Sequence, residues 1–126
     1  MSNPTFRNGP ITYEAATKLE KFRLVTIADG KVQHAAATGG VFGAVTEKAD
    51  PNNNALPTDI AVHIGPESVK LEVDGGDATA IKAGSAVFAA ADGKVAAEGT
   101  VQVGVAAWDG EGDRVLTTLT TPIPND

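Results

Sequence analysis

"RLVTIADGKV" (residues 23–32) sets Val25 and Ile27 in alternation with Leu24, Thr26 and Ala28, and follows them at once with Asp29-Gly30. Period-two alternation marks a strand, and an Asp-Gly pair between β-prone runs marks a hairpin, because both central residues of the tightest hairpin turn take positive φ. The last five letters, "ADGKV", return unchanged at 91–95 behind "AVFAA", which places a second turn at Asp92-Gly93.

Working outward, "LEKFRLVTI-ADGKV" lies on "IKAGSAVFAAADGKV" with a one-residue gap. Leu19 falls on Ile81 and Val25 on Val87, and downstream "GGVFGAV" falls near "TVQVGVA", bringing Gly43 close to Gly104. Each half then reads strand, hairpin, strand, loop, strand, a supersecondary unit used twice at about 19–45 and 81–107.

The remaining elements agree. "IAVHI" (60–64), "VKLEV" (69–73) and "RVLTTLTT" (114–121) read as strands, with Val69, Leu71 and Val73 inward and Lys70 and Glu72 outward. "ITYEAATKLEKF" carries both a helical spacing (Ala15, Ala16, Leu19, Phe22) and an alternation (Ile11, Tyr13, Ala15); a strand over "ITYEA" and a turn over "TKLEK" fit the neighbours better. "ADPNNNALPTD" (49–59) is a polar loop. Short strands with frequent turns predict an all-β fold, a compact β-sandwich or barrel-like domain. Residues 1–10 read as an extended N-terminal arm, 11–121 as a single β domain and 122–126 as a C-terminal tail.

The chain has 126 residues, 42% of them hydrophobic, but alanine dominates that fraction and the predicted core is thin. Partners are expected to supply part of the burial. The formal net charge is −6 and the basic residues form no stripe, which argues against nucleic acid as a partner. No long apolar run predicts a membrane span, and the first residues do not read as a signal peptide. There is no cysteine. Manufacture in a cytoplasm is the expectation.

Catalytic constellations are not legible. His34 and His63 stand apart, without the spacing of a metal motif, and Ser2, Ser68 and Ser85 lie outside any nucleophile-elbow pattern. The expectation is no enzyme, no cofactor and no metal. "DGEGD" (109–113) reads as a hairpin turn, with a weak cation site as the other reading. Trp108, the single tryptophan, is either a core or rim anchor or an interface hot spot. Phe6, Arg7, Ile11 and Tyr13 lie in or beside the arm, and a segment of this kind commonly docks on another chain; the other reading is a disordered tail in which Phe6 is incidental. Together with Trp108 they are the candidate contact residues; Asp29, Gly30, Asp92 and Gly93 are structural turn residues.

"ITYEAA", "RLVTIADGKV" and "VFGAV", followed by "AIKAGSAVFAAADGKVAAEGTVQVGVA" and "DRVLTTL", resemble in order the elements of the small capsid decoration, or cement, proteins of tailed bacteriophages. The likeness runs from about residue 11 to 120; the 49–59 loop departs from it. It implies a homotrimer on the outer surface of an icosahedral head, bound to the phage major capsid protein and clamping neighbouring subunits. The alternative is a non-catalytic ligand- or carbohydrate-binding β module.

Overall fold

The Asp29-Gly30 turn joins two strands as the sequence predicts: Ala28 pairs with Lys31, leaving a two-residue loop with φ of 53° and 77°. Around it, a computed structural model describes residues 9–125 of the chain as ten short antiparallel strands and one 3-10 turn. The strands are β1 (Ile11–Glu14), β2 (Arg23–Ala28), β3 (Lys31–His34), β4 (Gly43–Val45), β5 (Asp59–Val62), β6 (Ser68–Glu72), β7 (Ala86–Ala89), β8 (Val95–Ala96), β9 (Gln102–Ala106) and β10 (Arg114–Leu119). The all-β expectation holds. Among the described residues no helix is long and apolar enough to cross a membrane.

The strands form three sheets, β1-β5, β3-β2-β4 and β6-β10-β9-β7-β8. Ala44 and His63 exchange backbone hydrogen bonds of 2.9 and 2.8 Å and link the first two sheets. The first half therefore runs β1-β5-β4-β2-β3, and the second half repeats that order strand for strand. Each order also closes on itself. Ala15 bridges Val32 in parallel, as Val73 bridges Val95, and Ala16 N–H bonds Val32 O as Asp74 N–H bonds Val95 O, both at 2.8 Å. Two small barrel-like rings result, built by the same grammar.

Register matches as well as order. Val25 pairs with Gly43 and Val87 with Gly104. Both glycines are dictated by close approach of the next strand: a Cβ on Gly43 would lie 2.3 Å from His63 O, and one on Gly104 would lie 2.2 Å from Thr118 O. The left-handed residue before β2, Phe22 (φ 62°), answers Gly84 (φ 87°) before β7. Such a φ is strained for a bulky side chain.

The second "ADGKV" departs from the two-residue hairpin expected of it. Asp92 and Gly93 do take positive φ, 57° and 74°. However, Lys94 N–H bonds Ala91 O while Ala90 N–H, one residue earlier, bonds Lys94 O. Ala90 is thus an extra residue, and Ala91–Gly93 forms a 3-10 turn. Lys31 Nζ lies 3.0 Å from Glu14 and Lys94 Nζ 3.8 Å from Glu72, the same pairing in each half.

Two apolar clusters fill the rings. One holds Leu19, Val25, Val32, Val45, Ile60 and Val62 of the first half. The other holds Leu71, Val87, Val95, Val103, Val115 and Leu119 of the second half, and also takes in Leu24, Ala35, Val41 and Ala44 from the first. Strands β2 and β4 thus bury both faces: Val25 and Val45 inward, Leu24 and Ala44 against the second half. The segment after β10 belongs to this seam, with Ile123 bridging Val41 and Asn125 accepting from Thr26 Oγ1 at 3.1 Å.

Candidate interaction surface

Alternation along β6 and β10 sends Lys70, Arg114 and Leu116 outward, because Val69, Leu71, Val115 and Thr117 are buried. Trp108 leaves β9 beside them and is 70% exposed. These side chains, with Asp109, Glu111 and Asp113, line a groove of about 300 Å³. The loop that carries Trp108 is pinned rather than loose. Asp109 Oδ1 accepts from Ala83 N–H at 2.8 Å, and Gly110 N–H bonds Ile81 O at 2.8 Å.

Phe22, just before β2, is a platform for cations, two of which, Arg114 and Lys70, also line the groove. The Arg114 guanidinium sits 4.4 Å from its ring centroid, Lys21 Nζ 5.6 Å and Lys70 Nζ 5.9 Å. Arg114 Nε is 3.5 Å from Asp113 Oδ1, and among the described residues it makes no hydrogen bond. The wall therefore combines the Trp108 indole with both signs of charge, a lining able to hold a polar ligand that has an apolar face, or a partner's side chains.

Of the candidate contact residues, Phe6 and Arg7 lie outside the described residues. Ile11 pairs with Val62 in the first ring, and Tyr13 stacks edge-on against Phe42 at 5.4 Å between centroids. Both are half-buried within their own chain, so a free arm does not carry them. Trp108 stands in the second half, after β9, whereas Ile11 and Tyr13 belong to β1 of the first. Phe22, Lys70, Arg114 and Leu116 went unread in the sequence as site residues. Alternation placed Lys70 outward, but nothing local showed that β6 and β10 are neighbours or that Lys70 and Arg114 meet over the Phe22 ring.

The histidines do structural work. His63 Nδ1 lies 3.1 Å from Glu67 Oε1. His34 Nε2 accepts from Glu20 N–H at 3.0 Å, and burial, helped by the nearby Arg23 charge, holds its pKa below 6.5 against the smaller opposing pull of Asp92 and Glu20. Asp77 is held below the usual carboxylate range by the Thr79 hydroxyl and N–H, which both donate to it. Among the described residues no three His, Asp or Glu side chains are grouped to hold a metal.

No family model matches the sequence, and no curated protein matches it significantly. The fold has a counterpart among solved structures. The N base of head fiber gp8.5 from bacteriophage phi29 superposes with a TM-score of 0.66 at 17% identity, over 93% of this chain and 98% of that one. The chain thus shares, nearly end to end, the fold of a phage head-fiber base.

Proposed function

We propose that the protein is a structural component of a phage virion, made in the host cytoplasm and bound to the outer surface of the head. In this reading a homotrimer contacts the major capsid protein and clamps neighbouring subunits. The observation that carries it is the likeness to the head-fiber base, which spans both chains almost completely. The order of sequence elements, which resembles that of decoration proteins, supports the same role, and the open groove at Trp108 offers a contact surface. Many modest contacts repeated over a lattice hold by avidity without a tight single site. The test is sedimentation of purified protein with expanded, undecorated heads. Co-sedimentation is expected; its absence at micromolar concentration overturns the reading.

A second reading is favoured by one observation, the 70% exposure of Trp108 over a groove lined by carboxylates and cations. That lining suits a sugar, whose apolar ring face stacks on an indole while its hydroxyls meet charged groups. A glycan array with no hits removes it.

A further inference from the structure

The two halves match in strand order, register and closing bridge, yet one face is covered in the first half and open in the second. Leu24 and Ala44 point out of the first ring and are fully buried against the second half. Their counterparts follow from the shared register: since Val25–Gly43 answers Val87–Gly104, Leu24 answers Ala86 and Ala44 answers Val105. Ala86 is only partly buried and Val105 is 36% exposed. On the same face Leu116 stands two residues from Thr118, the partner of Val105, and Trp108 lies beyond it.

What covers Leu24 is the turn end of the second half. Gly93 N–H bonds Ala35 O at 2.7 Å, and Glu72 N–H bonds Phe22 O at 2.9 Å. Arg23 reaches Glu72 Oε2 at 3.3 Å and Asp92 O at 3.0 Å. The equivalent end of the first half stands open. A Cβ on Gly30 would meet nothing within 4 Å, whereas one on Gly93 would lie 2.5 Å from Leu24 O. Asp29 and Glu14 are exposed. Glu14 pairs with Lys31 as Glu72 pairs with Lys94. Its N–H faces away from β5, since Ala15 N–H is the one that bonds Thr58 O, just as Glu72 N–H faces away from β10 while Val73 N–H bonds Asp113 O. Each chain therefore contains one completed joint, one spare turn end and one spare face of matching kind.

We propose that a second copy of this chain completes the set: Glu14 and the Asp29-Gly30 turn of one copy dock on Gly84, Ser85, Ala86 and Val105 of the next, repeating between chains the joint that binds the two halves. The inference rests on the internal repeat and is independent of the virion reading. The contact joins two different patches, so copies arrange head to tail and close into a ring where the rotation allows it; a homotrimer is one such ring. Arg23 answers Ser85, so the bridge to Glu72 has no equivalent between chains. The joint between copies is the weaker one and depends on chain concentration.

The chain has no cysteine, so Glu14→Cys and Ser85→Cys each introduce a single thiol. Mixed and oxidised, the two variants should give a disulfide-linked mixed dimer roughly tenfold above the homodimers of either alone, because the docked pair raises the effective thiol concentration. Mixed dimers no more abundant than homodimers overturn the proposal, as does efficient linking of Glu14→Cys to itself. Ala86→Arg places a long charged side chain on the exposed face. By sedimentation velocity it should fall to the mass of one chain, 12.8 kDa, and its melting temperature should lose the parent's dependence on chain concentration; a surviving multimer overturns the docking face. Head co-sedimentation is a separate readout. Chains that self-associate but ignore heads keep this contact and lose the virion reading, and chains that bind heads without forming the mixed disulfide lose this contact alone.

Discussion

Gly93 donates its N–H to Ala35 O at 2.7 Å, and its α-carbon faces Leu24 O so closely that a methyl group there would sit 2.5 Å away. Two turns spelled with the same five letters therefore do different work. One is a free hairpin tip, and the other is the point where the halves meet.

Alanine at each turn separates these roles. Gly30→Ala meets only the backbone cost of positive φ and should destabilise by about 1 kcal/mol. Gly93→Ala adds a backbone clash and should cost about 3 kcal/mol or more. Urea unfolding of both variants checks the order; equal losses would mean that the second turn does not bear on the first half.

Gly43→Ala and Gly104→Ala test the matched close approaches. Each Cβ would press on a carbonyl of the neighbouring strand, His63 O or Thr118 O. Losses of about 2 kcal/mol are expected for both, of similar size because the geometry is the same. Thermal unfolding of the pair is the measurement.

Arg23→Ala should cost about 2 kcal/mol. Its side chain is only 12% exposed and spans the seam to Glu72 and to Asp92 O, and its loss leaves Glu72 with Lys94 at 3.8 Å. The Arg23→Met variant keeps most of the packing and should recover a part of the loss, which equilibrium denaturation resolves.

His34 predicts a pH dependence. Its folded pKa lies below 6.5, the value it regains on unfolding, so the unfolded chain takes up the proton first as pH falls. Its contribution to stability is full above the unfolded value and is lost as pH drops from there through the folded one. Denaturation midpoints measured from about pH 7.5 down to about pH 5 should fall, and His34→Gln, which keeps an acceptor for Glu20 N–H, should flatten that slope. An unchanged slope would assign it to other groups.

The sequence made most of the strands legible because alternation is a local signal: "VKLEV" buries Val69, Leu71 and Val73 as its pattern requires. The gap needed to align the halves has a physical counterpart in Ala90, the extra residue of the second turn. The left-handed Phe22 was not legible, since an aromatic residue argues against that backbone and only its counterpart Gly84 hints at it. The seam was hidden for another reason. Leu24 and Val25 are both apolar, which shows a strand covered on two faces but not by what. At the candidate site Trp108 stood out by type alone. Its neighbours Arg114 and Lys70 came from strands far apart in the chain, and pairing of that range leaves no local trace.

The two-faced burial of β2 and β4 also bears on the order of synthesis. Every strand and bridge residue of the first ring has been made by His63, so its ladder and closing bridge can form before the second half exists. Until β6, the turn at Gly93 and finally Ile123 emerge, that ring carries an uncovered strip of Leu24, Ala35, Val41 and Ala44. A nascent chain thus passes through a stage with a sticky side, and the second half acts on it as a built-in chaperone would, covering that strip in cis before a neighbouring chain can reach it.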